Sequence, residues 1–309
     1  MLDPETFLTE LYVLVDEFCK AHPAPRRPGP APALTESEVL TLALFSHWAP
    51  FASERAFYRY AARHLRALFP TLPSRPQFNR LVRRCHDRLA AFALDLGRAL
   101  AATDPAFEVL DGTGVPTRNA KRRGAGWLPE VADLGKCTRL GWYEGVRLLL
   151  AVTPQGAITG FGLGPASTND RTLAETFFAC RAAPDARLRS VGQPVSDCYV
   201  ADMGFAGVQC EARWATQYGA TVICPAQTGS TRAQRWSKPW RTWLAGIRQV
   251  IETVNDRLLT AFGLTHERPH AWDGLQARLA ARVGLHNTCL WLNQRHGRPL
   301  LAIADLIAW

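Results

Sequence analysis

Two aspartates stand where their side chains could do chemistry on a phosphate. Asp111 ends an apolar segment with the pattern of a strand and is followed by Gly112, and Asp202 ends a second such segment with Gly204 two residues on. A carboxylate at the carboxyl end of a strand, with glycine close behind it, projects into a cleft that a ligand's backbone can approach. We therefore expect Asp111 and Asp202 to lie together at one end of a sheet.

A divalent cation is the natural companion of such a pair. Two carboxylates brought together repel each other unless a cation lies between them, and magnesium or manganese suits carboxylates that face phosphate. Glu252, on a predicted helix, stands four residues after Arg248, so both side chains lie on one helix face. The two could supply a metal ligand and a phosphate contact, although from these two residues alone an ordinary surface ion pair is the better explanation.

Several short motifs surround these residues in a distinctive order. They are residues 78–81 (Phe-Asn-Arg-Leu), 109–113 (Val-Leu-Asp-Gly-Thr), 164–171, 200–205 and the Arg248-x-x-Ile251-Glu252-Thr253 segment. In this order they resemble the DDE transposases of bacterial insertion sequences, over roughly residues 35–292. Each motif is short, and it is their joint order and spacing that carries the resemblance.

The resemblance implies an RNase H-like catalytic core and two-metal phosphoryl transfer. It implies two magnesium (or manganese) ions, with Asp111 bridging both and with Asp202 and Glu252 each holding one. The implied function is to bind the terminal inverted repeats of an insertion sequence, as a homodimer in the synaptic complex, to cleave the element's ends and to join them to target DNA. The alternatives are a metal-dependent DNA nuclease on the same fold without strand transfer, and a catalytically inactive DNA-binding relative.

The sequence departs from the family pattern at two places near Glu252. Related enzymes often carry Tyr three residues before the arginine, where Ala245 stands here, and Lys or Arg six or seven residues after the glutamate, where Leu258 and Leu259 stand. Arg257 is the nearest cation but points to a different helical face. These departures motivate the inactive alternative.

The elements that must position these residues follow from hydrophobic periodicity and turn signals. Helical spacing predicts four helices in residues 1–103, the second opened by a capping box at Thr35 and Glu38 and the last running from Ser74 to about residue 100. Beyond them we predict strands at 107–111, 144–152, 157–163, 196–202 and 220–225, and helices at about 170–182, up to 218, at 244–262 and at 273–292.

This order predicts an α/β fold: three antiparallel strands, two further strands added through helical crossovers, and flanking helices. It agrees with the RNase H-like core that the resemblance implies. We assign residues 1–103 to a helical DNA-binding or dimerisation region, residues 104–295 to the catalytic domain and residues 296–309 to a C-terminal tail.

Positive charge is concentrated in a few segments of this basic chain, whose formal net charge is +9 and whose pI is about 9.4. Such segments suit a polyanionic partner. The candidates for DNA contact are Arg80, Arg83, Arg84 and Arg88 on an N-terminal helix, Arg118, Lys121, Arg122 and Arg123 after Asp111, Arg235, Lys238 and Arg241 among tryptophans, and Arg248 and Arg257. The alternatives are a dimerisation bundle, a solvated basic loop and tryptophans that cover the edge of the core.

Other features exclude several classes of protein. None of the eight cysteines lies in a C-x-x-C pair, which argues against a zinc finger and a disulfide framework and favours reduced thiols. The chain has neither the basic start of a signal peptide nor a long apolar segment. We therefore expect no membrane association and a place in the bacterial cytoplasm, on the nucleoid when bound to DNA.

Overall fold

The computed structural model describes residues 1–25, 32–48, 51–101, 105–118, 127–183, 191–225, 237–266 and 268–307. The α-helices are α1 (Pro4–Ala21), α2 (Glu36–Phe45), α3 (Glu54–His64), α4 (Arg75–Arg84), α5 (His86–Leu100), α6 (Asp170–Ala182), α7 (Val208–Tyr218), α8 (Lys238–Asp256) and α9 (Trp272–Arg295). The strands are β1 (Glu108–Arg118), β2 (Asp133–Cys137), β3 (Gly141–Val152), β4 (Ile158–Pro165), β5 (Cys198–Ala201) and β6 (Thr221–Ile223).

The chain divides into two compact units. Unit 1 comprises Met1–Leu96, Ala261–Gly263 and Ala271–Trp309, and unit 2 comprises Gly97–Thr260 and Leu264–His270. Helix α9, which the sequence pattern placed in the catalytic domain, therefore groups with the N-terminal helices. Among the described helices, none is both long enough and apolar enough to cross a membrane.

Unit 1 is helical, and local sequence sets the starts of its helices. The carboxylate of Asp3 accepts hydrogen bonds from the backbone N–H groups of Glu5 and Thr6 at the start of α1. Thr35 and Glu38 form the predicted capping box at the start of α2. Helix α9 packs against α2 and α4 and is buried along most of its length, including the polar side chains of Arg282, His286 and Asn287.

The predicted helix from Ser74 to residue 100 is two helices in the structure. Helix α4 ends at Arg84, Cys85 forms a turn, and α5 begins at His86. Ser74 does begin the first of them, since its N–H and hydroxyl both donate to the side chain of Gln77. Neither glycine nor proline stands at the break, so hydrophobic periodicity alone does not reveal it.

Unit 2 is built on one mixed sheet with the strand order β2-β3-β1-β5-β6. Strand β3 is antiparallel to β1 on one side and to β4 on the other, while β5 and β6 are parallel to β1. This confirms the predicted three antiparallel strands and two added strands, and it is the RNase H-like arrangement. The short β2, which the sequence did not predict, pairs with the first residues of β3.

The prediction that strand β1 ends at Asp111 is wrong, because the strand continues to Arg118 along its antiparallel partner β3. The glycines after Asp111 suggested a strand end. They lie inside the strand, which stays paired with β3, and the space of their missing side chains is taken by other residues: a Cβ at Gly114 would lie 2.7 Å from the ring of Tyr143. Asp111 therefore lies within a strand, where its position is fixed on both sides.

Helices α6 and α7 contribute to the hydrophobic core at the sheet. Leu110 and Leu149 from the sheet are buried with Phe178 of α6 and Trp214 of α7 in one cluster. Beside them a buried ion pair links β1 to α6: Arg181 Nη1 lies 2.6 Å from Glu108 Oε2 and 3.0 Å from the hydroxyl of Tyr199. Since Glu108 pairs with Tyr199 in the sheet, this ion pair holds β1 and β5 in register.

Candidate active site

The sheet brings Asp111 and Asp202 side by side. Leu110 on β1 pairs with Ala201 on the parallel strand β5, so each aspartate is the next residue on its own strand. Strand β5 ends there, and Asp202 opens a short 3-10 turn over Met203–Phe205 by accepting a 2.7 Å hydrogen bond from the N–H of Gly204. The structure thus places the two aspartates as neighbours, as the sequence predicted.

The surroundings of Asp111 disfavour the ionised form of its carboxyl group. Burial, reinforced by the negative charge of Asp202, raises its pKa to about 7, although the nearby guanidinium of Arg248 acts in the opposite direction. A carboxylate with so high a pKa gains from any cation that comes close to it. A site of this kind is typical of functional clefts.

Helix α8 carries Glu252 and Arg248 toward these aspartates. Arg248 Nη2 lies 3.9 Å from Asp202 Oδ2 and 3.5 Å from Glu252 Oε1, so its guanidinium stands between the two carboxylates. The two carboxylate oxygens can then be at most about 7.4 Å apart, the sum of those two distances. The side chain of Glu252 is 60% exposed, which leaves it free to rotate.

Asn255 is a member of the site that the sequence analysis did not single out. It lies on α8 three residues after Glu252, and its amide nitrogen donates a 2.7 Å hydrogen bond to Asp111 Oδ2. The residue is only 6% exposed, and its amide oxygen has no hydrogen-bond partner in the described structure. Asn255 therefore ties α8 to β1 at the aspartate pair and leaves one buried oxygen available to a ligand.

Asp170 is the second residue that sequence reasoning missed, although it lies in the 164–171 motif. It begins α6, after the N-cap residue Asn169, and both Nε and Nη2 of Arg147 contact its Oδ1, at 2.7 and 2.5 Å. Burial raises its pKa, Arg147 opposes that shift, and Asp202 adds to it. An acidic residue in the first turn of a helix has an ordinary structural explanation, so only the fold reveals its closeness to Asp202.

The donor set of this cluster fits divalent metal ions. It offers hard carboxylate oxygens, an unpartnered buried amide oxygen and like charges that a cation would screen. As they stand, however, no three His, Cys, Asp or Glu side chains among the described residues are arranged to hold an ion. The exposed side chain of Glu252 has room to turn inward toward the aspartates.

The two departures from the family pattern have clear structural positions. Leu258 and Leu259 are buried, at 0% and 2% exposure, in a short π-helical turn over Arg257–Ala261 that follows α8. Ala245 is exposed on α8, and Arg257 is half-buried. Apolar packing therefore takes the place where related enzymes often carry a cation.

Two of the predicted DNA-binding arginines on the N-terminal helices form ion pairs within unit 1. Arg83 pairs with Asp273, and Arg88 pairs with Glu36 and also donates to the carbonyl of His22. Arg80 and Arg84 are exposed on α4. Further exposed arginines lie along α3 and just beyond it, and none of them forms an ion pair with a described carboxylate. They are Arg55, Arg59, Arg63 and Arg66.

The other candidates for DNA contact are also separated by the structure. Arg118 is buried and makes two 2.9 Å contacts with Glu144, which is a structural role within the sheet. Lys238 and Arg241 are exposed at the start of α8, beside the exposed Trp240. Lys121, Arg122, Arg123 and Arg235 lie outside the described residues. All eight cysteines are free thiols.

The fold and the cluster define an RNase H-like protein with paired aspartates at the middle of its sheet. The sequence model of the transposase DDE domain family matches residues 104–288, more than half of the 309 residues. The chain therefore belongs to the transposase DDE domain family, a class of enzymes that cut and join DNA and generally use divalent metals. Comparison with curated proteins and with solved structures gives no match.

Proposed function

We propose that this protein is the transposase of an insertion sequence, with Asp111, Asp202 and Glu252 as its metal-binding catalytic residues. It binds the element's terminal inverted repeats, cleaves the DNA at the element ends and joins those ends to target DNA. The observation that carries the proposal is the convergence of β1, β5 and α8, which brings an aspartate from each strand and the Arg248–Glu252 pair of the helix to one place.

The residues of the cluster take distinct roles in this proposal. Asp111, which lies beside Asp202 and accepts a hydrogen bond from Asn255, would contribute its carboxylate to both ions, and Asp202 and Glu252 would each hold one. When bound, two magnesium or manganese ions activate the attacking water or DNA 3′-hydroxyl and neutralise charge on the leaving oxygen. Arg248 moves off the carboxylates that it bridges and contacts a DNA phosphate.

Contact with DNA outside the cluster involves both units. In unit 1 we propose that the exposed arginines of α3, with Arg80 and Arg84 of α4, bind backbone phosphates of the terminal repeat. In unit 2, Lys238 and Arg241 contact phosphates near the element end, and Arg257 remains a weaker candidate. Two copies of the chain would hold two element ends in one synaptic complex.

The test is cleavage of a supercoiled plasmid that carries the element ends, with manganese and purified full-length protein. We expect the wild type to nick or cut at the ends and Asp111→Asn to lose this activity while DNA binding is retained, since the substitution removes a metal ligand and little volume. Glu175→Gln, a change on α6 where the glutamate bonds Arg213 rather than the cluster, is the matched control and should cleave normally.

The buried leucines that replace the usual cation after Glu252 favour an inactive DNA-binding relative. A nuclease without strand transfer is the other alternative to the transposase. Pre-cut element ends incubated with target plasmid distinguish the two. Joined products support the transposase, whereas cleavage with no joined product supports the nuclease. Binding without cleavage in either assay supports the inactive relative, and normal cleavage by Asp111→Asn would show that the site is misassigned.

A further inference from the structure

The carboxylate of Asp170 lies close to Gly112 and Gly204, the glycines that follow the paired aspartates Asp111 and Asp202. A Cβ at Gly112 would lie 2.5 Å from Asp170 Oδ1, and a Cβ at Gly204 would lie 2.9 Å from Asp170 Oδ2. The same Cβ at Gly204 would also lie 2.9 Å from Asp202 Oδ1, so those two carboxylate oxygens are at most about 5.8 Å apart. Two glycines therefore keep open the space in which the carboxylates of Asp170 and Asp202 meet.

The ion pair with Arg147 uses only one oxygen of Asp170. Both contacting nitrogens of Arg147 converge on Oδ1, and no described residue donates a hydrogen bond to Oδ2. Glu175, five residues further along the same helix, shows the contrasting structural pattern: Arg213 contacts both of its oxygens, and Trp214 also donates to one of them. Oδ2 of Asp170 therefore remains available to a ligand, whereas both oxygens of Glu175 are occupied.

The charge of the cluster calls for more cation than the protein supplies. Four carboxylates, those of Asp111, Asp170, Asp202 and Glu252, face two guanidinium groups, those of Arg147 and Arg248. When all are ionised, the cluster carries a formal charge of about −2, which a divalent ion balances. The buried amide oxygen of Asn255 beside Asp111, which has no partner in the described structure, independently indicates a missing ligand.

We propose that Asp170 is a fourth carboxylate of the metal site, binding through Oδ2 the ion that Asp202 holds, while Arg147 fixes its orientation through Oδ1. This inference rests on the proposed function, because it assumes that Asp111 and Asp202 bind metal. It adds a ligand from the start of α6 to ligands that come from β1, β5 and α8.

The experiment counts bound manganese directly. Purified full-length protein, free of DNA, is titrated with manganese chloride into the millimolar range, and free manganese is measured by electron paramagnetic resonance. The variants are Asp111→Asn, Asp170→Asn and Glu175→Gln, with thermal unfolding in EDTA as a check on folding. We expect Asp170→Asn to weaken manganese binding about tenfold or more, and Glu175→Gln to bind like the wild type.

A second pair of variants leaves every charge unchanged. Gly204→Ala places a methyl group 2.9 Å from an oxygen of Asp170 and 2.9 Å from one of Asp202, whereas Gly246→Ala, on exposed α8, meets nothing within 4 Å. We expect Gly204→Ala to weaken manganese binding and Gly246→Ala not to do so. If Asp170→Asn fails to fold, unchanged manganese binding in Gly204→Ala still overturns the role of Asp170, whereas weaker binding shows that the ion lies in the space shared by Asp170 and Asp202, because the methyl group contacts both.

The outcomes distinguish the role of Asp170 from the assignment of metal binding to Asp111 and Asp202. Binding that is lost in Asp111→Asn and weakened in Asp170→Asn supports a fourth ligand, and weaker binding in Gly204→Ala agrees with an ion in the space that Asp170 and Asp202 share. Binding that is lost in Asp111→Asn but unchanged in Asp170→Asn and Gly204→Ala overturns the role of Asp170 and leaves the proposed function standing. If the wild type binds no manganese, or Asp111→Asn binds it normally, the metal assignment of the proposed function fails together with this inference.

Discussion

Replacing Arg181 by methionine should destabilise unit 2 strongly. The side chains of Arg181 and Glu108 are 2% and 0% exposed, and their closest atoms are 2.6 Å apart. Methionine has a similar length but removes that contact and the hydrogen bonds to Tyr199 and to the carbonyl of Val191. The carboxylate of Glu108 would then remain buried without its cation, with the hydroxyl of Thr159 as a donor.

The cost of that change follows from the burial of the pair. Breaking a buried ion pair by removing one partner costs about 3–5 kcal/mol, most of it the penalty of the charge left behind. The double variant Glu108→Gln with Arg181→Met removes both charges and should regain a large part of the loss. Because Glu108 and Tyr199 lie three residues before Asp111 and Asp202, the single variant should also loosen the register that sets the aspartates together.

Hydrogen–deuterium exchange of β1 and β5, measured with increasing urea, reports the free energy of unfolding of this part of unit 2. We expect protection of both strands to fall by about 3–5 kcal/mol in Arg181→Met, and by clearly less in the double variant. If the free energy of unfolding of Arg181→Met lay within about 1 kcal/mol of the wild-type value, the buried ion pair would not stabilise unit 2 as expected. A double variant as unstable as the single one would also contradict the expectation, because the uncompensated charge would then not be the cause.

Three further predictions concern the site, the DNA surface and the acid stability. Asn255→Ala should slow end cleavage about tenfold to a hundredfold in single-turnover assays. The free energy of unfolding in urea should change little, because the lost hydrogen bond is offset by removal of an unpartnered oxygen. A normal cleavage rate would contradict the role given to Asn255. Arg59→Glu with Arg63→Glu should lower affinity for the terminal repeat and reduce the slope of log affinity against log salt by about 2 in fluorescence anisotropy, and an unchanged slope would exclude the α3 surface. Hydrogen bonds from Arg213, Trp214 and Tyr218 lower the pKa of Glu175. The stabilisation that Glu175 gives is therefore full above the pKa of an unfolded glutamate, about 4.3, and is lost as the pH falls through the lower folded value. Glu175→Gln should make stability less dependent on pH in this acid range, and an unchanged dependence would mean that other groups cause it.

The order of most elements could be predicted because most of them carry a local signal, β2 and the break between α4 and α5 being the exceptions. The capping box at Thr35 and the apolar strands around Asp111 and Asp202 are local patterns, and the structure contains them. The extent of β1 could not be predicted in the same way. Gly112 and Gly114 look like a strand end, but the strand continues because it pairs with β3, and the neighbours Asp170 and Tyr143 explain why these positions are glycine.

The candidate site divides along the same line. The closeness of Asp111 and Asp202 could be predicted from two apolar strand segments that are each followed by an aspartate, but the roles of Asn255 and Asp170 depend on tertiary contacts. Asn255 meets a residue 144 positions away in the chain. An asparagine within a helix and an aspartate at a helix start each have local explanations, so the sequence gives no reason to prefer a functional one.

The arginines show a related limit. A helix face with Arg80, Arg83, Arg84 and Arg88 looks like one continuous basic surface, yet Arg83 and Arg88 meet acidic partners far along the chain. Charge spacing on one helix contains no information about Asp273, which lies 190 residues away. Exposed arginines that bind DNA and arginines that hold the fold together therefore look alike until the tertiary contacts are known.

Crystals of the full-length protein grown with manganese would show whether the aspartate pair binds metal. Anomalous difference maps should place an ion with carboxylate oxygens of Asp111 and Asp202 at about 2.1 Å, close to the distance for magnesium, and with Glu252 rotated inward from Arg248. Manganese bound elsewhere, with Glu252 still held by Arg248 and no ion at the aspartate pair, would contradict the account.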